Sequence, residues 1–262
     1  MRIEVLNQLE TAWAGKTCLC FPVLESTNDY AKELSKKESV HGMLIVADAQ
    51  TAGKGRRGRV WQSPAGTNIA MSLCMEPNLP TDKVSGVTLV AALAVAEAIE
   101  RMTGETTQIK WPNDIVLHGK KICGILTELC FRKDVYTVVI GIGINGNTEE
   151  FPEEIREIAS SLKKETGKEI SREKLIAQVL KCFEEFYASY EKMQDFSLLK
   201  TRYEQLLANK DREVLVLDPA GAYRGVAKGI TDAGNLSVTC EDGSEREVYS
   251  GEVSVRGLYG YV

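Results

Sequence analysis

Residues 108–144 read QIKWPNDIVLHGKKICGILTELCFRKDVYTVVIGIGI, and apolar and β-branched residues are concentrated in three parts of this run. The parts 108–117, 122–130 and 135–144 each have the length and composition typical of strands. The tripeptide HGK at residues 118–120 separates the first two and is typical of a hairpin turn. We therefore expect closely spaced strands here, the first two joined as a hairpin.

The N-terminal side of this run adds a helix and two strands. Ser26 and Thr27 precede the pattern at residues 28–34, and hydroxyl side chains are favoured at the start of a helix. Apolar runs at residues 43–47 and 68–75 indicate strands, the second through alternation of large and small side chains.

Three longer patterns predict further helices. Residues 87–99 are rich in Ala, Val and Leu and end near Gly104, which indicates a buried helix rather than a membrane span. Residues 171–193 form a long amphipathic pattern opened by Ser171, and residues 196–208 form another.

From Arg212 onward, short Val- and Leu-rich runs alternate with turn residues at 218–221, 232–235 and 241–243. This spacing predicts a small all-β module of about fifty residues. The expected fold class is α+β, with one domain at residues 1–210 and a C-terminal domain at residues 211–262.

The composition limits the function classes. Of 262 residues, 44% are hydrophobic and 26% are charged, which is typical of a globular protein with one large core. The formal net charge of -5 argues against a surface that binds nucleic acid throughout, so any basic site is local. No apolar run approaches the ~20 residues that span a bilayer, and residues 1–9 lack a signal segment, so we expect a cytoplasmic protein.

The metal-ligating residue types are sparse or scattered. The spacings of the seven cysteines match neither a zinc site nor a disulfide framework, so we expect reduced, mostly buried thiols. The two histidines, His41 and His118, are too few for a histidine-rich metal site, and neither lies beside a nucleophile motif.

Residues 53–59 read GKGRRGR and are closely followed by Trp61. Three glycines let this loop turn tightly and present backbone amides to an anion. Its arginines add planar, charged forks that suit phosphate. Because the whole chain is acidic, this concentration of cations favours anion binding over an ordinary solvated loop.

Two stretches, at residues 53–58 and 141–146, fit the pattern G-x-G-x-x-G. Neither leads into a helix as a dinucleotide fingerprint requires, and no strand-ending acid lies ~20 residues beyond either one. A nicotinamide-dependent oxidoreductase is therefore supported only by glycine spacing.

Residues 110–114 read KWPND, and residues 120–126 read KKICGIL. Pro112 interrupts a strand and so fixes a bend where Asn113 and Asp114 can turn toward a pocket. A carboxylate there suits Mg²⁺ or a ribose hydroxyl, and lysines across the turn suit a phosphate. Taken alone, these residues also fit an ordinary turn beside a solvated edge.

The order of these segments resembles the successive signature segments of the biotin protein ligases. The segments are ESTN at 25–28, QTAGKGRRGRVW at 50–61, KWPND at 110–114, KICGIL at 121–126 and GIGIN at 141–145. The stretches ASSL at 159–162 and SGEVSVR at 250–256 resemble two further landmarks of the family. The likeness covers nearly the whole chain.

The resemblance implies a mixed β-sheet catalytic domain with helices, related to class II aminoacyl-tRNA synthetases, and an SH3-like C-terminal barrel. It implies that ATP activates biotin to biotinyl-5′-AMP, with Mg²⁺ on the phosphates. Biotin then passes to a lysine of a biotin carboxyl carrier protein or a biotin-dependent carboxylase domain. No membrane partner is implied, and a homodimer stays open.

The family positions also imply roles for individual residues. Biotin binding is implied for Ser26, Thr27, Asn28, Gln50, Gly53, Lys54, Gly55, Arg56, Lys121, Gly124 and Gly141. ATP binding is implied for Arg56, Arg57, Arg59, Trp61, Asn113, Asp114, Lys121 and Asn145. Lys121, between the biotin carboxylate and the α-phosphate, and Arg56 are implied as catalytic, and Asp114 as a ligand of the phosphate-bound Mg²⁺.

The chain departs from the family pattern in two places. Lys54 stands where the family loop often has Arg, so a point charge replaces a bidentate fork. The segment ESTN begins at residue 25, which leaves no room for the N-terminal helix-turn-helix domain of many bacterial relatives. We therefore expect no binding to operator DNA.

Two other functions stay open. A lipoate- or octanoate-protein ligase or transferase of the same superfamily would share the fold and the carrier-lysine chemistry, although the basic loop and KWPND favour biotin. A non-enzymatic nucleic-acid-binding module would use the basic loop with Trp61. The negative net charge and the lack of a second basic stripe count against that module.

Overall fold

The computed structural model describes residues 9–251, 254–257 and 261, and within them seven strands form one sheet. The strands are β1 (Thr17–Leu24), β2 (Met43–Gln50), β3 (Ile69–Met75), β4 (Gln108–Lys110), β5 (Asp114–Leu117), β6 (Lys120–Arg132) and β7 (Val135–Ile144). They are ordered β1-β2-β3-β7-β6-β5-β4. Only β1 and β2 pair in parallel, so the predicted mixed sheet is confirmed.

Helices cover both faces of this sheet. They are α1 (Thr27–Ser35), α2 (Val84–Thr103), α3 (Leu162–Thr166), α4 (Arg172–Met193) and α5 (Lys200–Leu206). Successive residues of a strand point to opposite faces, so each strand contributes to two apolar layers. Leu44 and Ile140 lie in the layer beneath α2 and α4, whereas Ile45 and Val139 lie in the layer beneath α1.

The helix ends follow the capping residues that the sequence predicts. Ser26 caps α1 because its Oγ accepts the backbone N–H of Asp29 at 3.3 Å. Ser171 does the same for α4. Gly104 ends α2 in the left-handed conformation, with φ of 78°. The helix predicted at residues 87–99 is buried as expected, and no helix in the described ranges has the length and apolar character needed to cross a bilayer.

The helix predicted at residues 196–208 is shorter than its pattern, because tertiary contacts compete at both ends. The backbone N–H of Phe196 donates to the carbonyl of Asp232 at 2.7 Å. At the other end, Ala208 donates to the carbonyl of Ile109 at 2.9 Å, which draws the chain alongside β4. Only Lys200–Leu206 are left to form α5.

A second sheet of antiparallel strands follows, as the alternation of apolar runs and turns predicts. Its described strands are β8 (Glu213–Leu217), β9 (Tyr223–Ile230), β10 (Leu236–Cys240), β11 (Glu245–Val248) and β12 (Ser254–Gly257), in the order β11-β10-β9-β8-β12. Glu252 and Val253 of the predicted landmark at 250–256 lie outside the described residues. The indole Nε1 of the buried Trp111 donates to the carbonyl of Gly234 at 3.1 Å and so joins the two sheets beside the KWPND bend.

Candidate active site

A cavity of about 1050 Å³ opens on the face of the large sheet that carries α1. Its walls combine the sequence segments with Val255, Arg256 and Tyr261 from the C-terminal region. The structure places these predicted residues on its lining: Ser26, Thr27, Asn28, Gln50, Lys54, Gly55, Arg56, Arg57, Arg59, Trp61, Asn113, Asp114, Lys121, Gly124, Gly141 and Asn145. Gly53, by contrast, is buried behind the wall.

Polar side chains around the start of α1 form a hydrogen-bonded cluster at one end of the cavity. Gln50 Oε1 accepts the backbone N–H of Thr27 at 2.8 Å and its hydroxyl at 3.1 Å. Ser72 Oγ lies 2.8 Å from Thr27 Oγ1 and 2.6 Å from Asn28 Oδ1. Asn28 in turn donates its Nδ2 to Glu128 at 2.8 Å. Donors and acceptors held this firmly suit a small, neutral polar group.

Glycines on β6 and β7 make the floor of the cavity flat. Gly124 and Gly143 pair across the two strands, and the ring of Trp61 approaches both of them. A Cβ on Gly143 would lie 2.3 Å from Trp61 Nε1, and a Cβ on Gly141 would lie 2.2 Å from Asn28 Oδ1. Asn28 and Trp61 can lie this close to β7 only because Gly141 and Gly143 have no side chain.

Trp61 brings an unused donor into the cavity. Its Nε1 is buried and has no hydrogen-bond partner within the described part of the chain. A buried donor left unpaired is costly, so this position suits a ligand that carries an acceptor.

The basic loop is a tight hairpin at the cavity mouth. Trp61 donates its backbone N–H to the carbonyl of Gly53 at 2.9 Å, and Gly55 donates to Arg59 at 2.7 Å. A short turn at Arg56–Gly58 forms its tip, where Arg57 adopts φ of 59°. The carbonyl of Trp61 would lie 2.4 Å from a Cβ on Gly53, so this glycine shapes the loop from behind.

The cations of the loop have different surroundings. Arg57 and Arg59 are exposed to solvent. Lys54 forms an ion pair with Asp29 of α1 at 2.6 Å, which attaches the loop to that helix. Arg56 is more buried, and this burial lowers the pKa of its guanidinium. Its Nη1 donates to Asn113 Oδ1 at 3.0 Å.

Arg56 also reaches the C-terminal region. Its Nη2 donates to the carbonyl of Gly251 at 2.8 Å and to the carbonyl of Ser250. One guanidinium therefore ties the basic loop to the KWPND bend and to the segment after β11.

Asp114 and Lys121 form the charged centre of the cavity. Lys121 Nζ donates to Asp114 Oδ1 at 2.6 Å, and this same oxygen accepts from Asn113 Nδ2 at 3.1 Å. Asp114 Oδ2 accepts the hydroxyl of Tyr261 at 2.6 Å. The backbone of Lys121 is bonded on both sides to residues 158–160, so its position is fixed.

Asn145 closes the cavity at the end of β7. Its Oδ1 accepts from Asn68 Nδ2 at 3.3 Å, and its Nδ2 donates to the carbonyl of Ser160 at 3.0 Å. Thr148 Oγ1 donates to Asn68 Oδ1 at 2.6 Å. Asn145 and Ser160, which the sequence singled out, are therefore bonded directly, and the buried network extends from Asn145 to Asn68 and Thr148, which the sequence did not single out.

The donors around Asp114 do not build a metal cage. Both carboxylate oxygens already accept hydrogen bonds, and the described residues contain no cluster of three or more His, Cys, Asp or Glu side chains. Magnesium takes six oxygen ligands and is commonly held by one or two carboxylates together with substrate phosphates. The site therefore fits Mg²⁺ only where phosphate oxygens supply most of its ligands.

Several cavity residues were missed by sequence reasoning. Asn68 lines the cavity and Ser72 lies behind its wall, bonded to Thr27 and Asn28. Both are single polar residues at or beside the apolar strand β3, where nothing in the sequence shows which neighbours they meet. Lys110 belongs to the KWPND segment, so its charge was visible, but no role was assigned to it. Tyr261 lies far along the chain from Lys110 and Asp114, which it contacts.

Comparison with known proteins gives a consistent picture. Residues 20–145 match the family model described as Biotin/lipoate A/B protein ligase family, and residues 211–256 match the Biotin protein ligase C terminal domain. The chain is 39% identical over 255 residues to the Bifunctional ligase/repressor BirA of Bacillus subtilis (strain 168), covering 96% of this chain and 78% of that protein. It is 30% identical to the protein of the same name from Escherichia coli (strain K12), covering 97% and 77%.

Among solved structures, the chain is similar to the biotin protein ligase from Aquifex aeolicus in complex with biotin and ATP. The TM-score is 0.83 at 33% sequence identity, and the match covers 92% of this chain and 99% of that one. The likeness therefore extends over both sheets.

Proposed function

Because the chain belongs to the biotin protein ligase family, we propose that the cavity described above carries out both steps of biotin ligation. The enzyme uses ATP to convert biotin to biotinyl-5′-AMP and then attaches biotin to a lysine of a biotin carboxyl carrier protein. The observation that carries the assignment to this cavity is the Lys121–Asp114 pair, which lies between the glycine floor and the basic loop.

The proposed roles divide the cavity residues into a set that binds biotin, at the end near α1, and a set that binds ATP. The fixed cluster at the start of α1 holds the neutral ureido end of biotin, and the glycine floor allows its rings to lie close to the sheet. We assign biotin binding to Ser26, Thr27, Asn28, Gln50, Gly124 and Gly141 on the wall, with Lys54 and Gly55 in the loop above and Gly53 shaping that loop from behind. ATP binding is assigned to Arg56, Arg57, Arg59, Trp61, Asn113, Asp114 and Asn145.

In the first step, an oxygen of the biotin carboxylate attacks the α-phosphorus of ATP, and the bond to the leaving pyrophosphate breaks. Two anions must therefore be held together while negative charge grows on the phosphate oxygens. Lys121 is fixed where it can neutralise both groups, and Arg56 adds a second cation at the loop. Mg²⁺, when bound, would neutralise charge on the phosphates, and Asp114 would hold it together with phosphate oxygens.

In the second step, a neutral lysine amine of the carrier attacks the carbonyl carbon of biotinyl-5′-AMP. An amide bond forms as the amine nitrogen loses one proton to solvent, the bond from carbon to the phosphate oxygen breaks, and AMP leaves with the electron pair. The loop lies over the cavity mouth and protects the anhydride from water, and its contacts from Arg56 hold it in place.

The proposal is tested by measuring pyrophosphate release with ATP, Mg²⁺ and biotin, and separately with lipoate or octanoate. We expect release with biotin and a loss of about 100-fold or more in Lys121→Ala. Lys120→Ala is the matched control, since the neighbouring residue of a strand points to the other face. Release with lipoate but not biotin, or full activity in Lys121→Ala, would contradict the proposal.

A further inference from the structure

Lys110 is a cation of the cavity that the mechanism above does not use. It is the last residue of β4, directly before the bend at Pro112, and it is 9% exposed. Its side chain lines the cavity on the side of Asp114 and Tyr261. Lysine is seldom buried to this extent without an ionic partner.

Positive charge dominates the surroundings of Lys110. Burial, together with Lys121, Arg59 and Arg256, lowers the pKa of its ammonium to about 8. Asp114 acts in the opposite direction, and its two oxygens are already bonded to Lys121 and Tyr261. Within residues 9–251, 254–257 and 261, no carboxylate oxygen lies close enough to Lys110 Nζ to form a salt bridge, and Asp114 is instead paired with Lys121.

Among the described residues, the Lys110 ammonium contacts a neutral group. The ammonium lies 3.6 Å from the centre of the Tyr261 ring and donates a hydrogen bond to the carbonyl of Tyr261. These contacts stabilise the ammonium but supply no negative charge beside it, and a buried charge without a counter-ion in contact is unfavourable. An anion entering the cavity beside Asp114 would remove this cost.

Lys121 and Lys110 lie on different strands, β6 and β4, with Asp114 of β5 between them in the sheet. If Lys121 lies between the biotin carboxylate and the α-phosphate, a second cation displaced across β5 suits the remaining phosphates of the same nucleotide. Lysine acts on phosphate as a point charge and needs no planar geometry to do so.

We propose that Lys110 binds the β- and γ-phosphates of ATP and so holds the pyrophosphate that leaves when biotinyl-5′-AMP forms. This inference rests on the proposed function. The tail carbonyl of Tyr261 occupies the acceptor position at Lys110, and phosphate oxygens replace it when ATP binds.

The test compares the two half-reactions in Lys110→Gln and Lys110→Arg. Glutamine can still donate to the Tyr261 carbonyl but carries no charge. We expect Lys110→Gln to lower kcat/KM for ATP in pyrophosphate release by about 10- to 100-fold. Transfer to a carrier domain from chemically prepared biotinyl-5′-AMP, which contains no pyrophosphate, should stay within about twofold. Lys110→Arg keeps the charge and should recover most of the ATP-dependent rate.

A binding measurement separates this inference from the proposed function. Calorimetry with magnesium pyrophosphate alone should show weaker binding to Lys110→Gln than to the parent protein, whether or not the protein ligates biotin. Lys210→Gln serves as the control, because Lys210 is paired with Glu204 at 2.8 Å outside the cavity.

Three results would overturn the inference. They are unchanged ATP kinetics in Lys110→Gln, equal pyrophosphate binding by variant and parent, and an equal loss in both half-reactions, which would indicate a purely structural lysine. A parent protein that binds pyrophosphate in a Lys110-dependent way but releases none from ATP and biotin would instead contradict the proposed function.

Discussion

The ion pair between Lys121 and Asp114 positions the central ammonium before any substrate arrives. An incoming carboxylate or phosphate must compete with Asp114 for the same cation, so the pair also limits how strongly a single anion is held. Sequence could predict both residues as members of the site, because each belongs to a compact, unusual segment, but it did not predict that they pair with each other. It could not predict Ser72, since one serine in an apolar strand carries no sign that it contacts Thr27 and Asn28.

Arg56 is predicted to retain the reactive intermediate. Its bonds to Asn113, Ser250 and Gly251 hold the basic loop across the cavity mouth, and Arg56→Gly removes all of them. We expect this variant to release several-fold more free biotinyl-5′-AMP than the parent protein, as measured by chromatography of the filtrate after incubation with ATP and biotin. Arg156→Gly is a suitable control because Arg156 is exposed and does not line the cavity. Equal release by Arg56→Gly and the parent would refute the role.

Cys20 is predicted to be the most reactive thiol of β1. Its Sγ lies 3.5 Å from that of Cys18, and the hydrogen bond with Cys18 lowers the pKa of Cys20 to about 7 while the pKa of Cys18 is raised. The thiolate is the nucleophile, so alkylation of Cys20 by iodoacetamide should rise as pH passes through about 7 and then level off. Peptide mass mapping across pH measures this.

The variant Cys18→Ala provides the control for that measurement. Without the Cys18 thiol, the midpoint of Cys20 alkylation should move upward toward the value of an ordinary cysteine, about 8.5. Burial raises the pKa of Cys74 to about 12, so Cys74 should stay unmodified in both proteins. An unchanged midpoint in Cys18→Ala would contradict the account of the pair.

At the scale of elements, local signals predicted most strands and helix starts. Ser26, Ser171 and Gly104 act as the sequence indicates, because a cap depends on neighbours only a few residues away. The insertion of β7 between β3 and β6, and the parallel pairing of β1 with β2, depend on contacts far apart in sequence. Contacts with residues distant in sequence also explain why α5 is shorter than the predicted helix at residues 196–208.

The packing of α2 against α4 depends on a glycine. A Cβ on Gly86 would lie 2.2 Å from Tyr190 Oη, whose hydroxyl donates to the carbonyl of Lys83 at 2.6 Å. We expect Gly86→Ala to lower the free energy of unfolding by about 1–3 kcal/mol, since the ring must move from a filled core. Urea denaturation measures the change. Ser85→Ala, at the exposed neighbouring position, should stay within about 0.5 kcal/mol of the parent, and equal stability of the two variants would contradict this explanation.

At the scale of the whole molecule, a net charge of -5 coexists with a cavity that concentrates cations. The sequence predicted this local concentration, because four cations of the loop occur within seven residues. It also predicted a separate β module after Arg212. It did not predict that this module would complete the cavity, because Val255, Arg256 and Tyr261 reach the lining only through the packing of the two sheets.

The most direct test is the intact mass of a biotin carboxyl carrier domain after incubation with the protein, ATP, Mg²⁺ and biotin. The account predicts a gain of one biotinyl group that requires ATP, is absent when the acceptor lysine of the carrier is replaced by arginine, and is lost with Lys121→Ala but retained with Lys120→Ala. An unmodified carrier, or full modification by Lys121→Ala, would contradict the claim that this cavity ligates biotin.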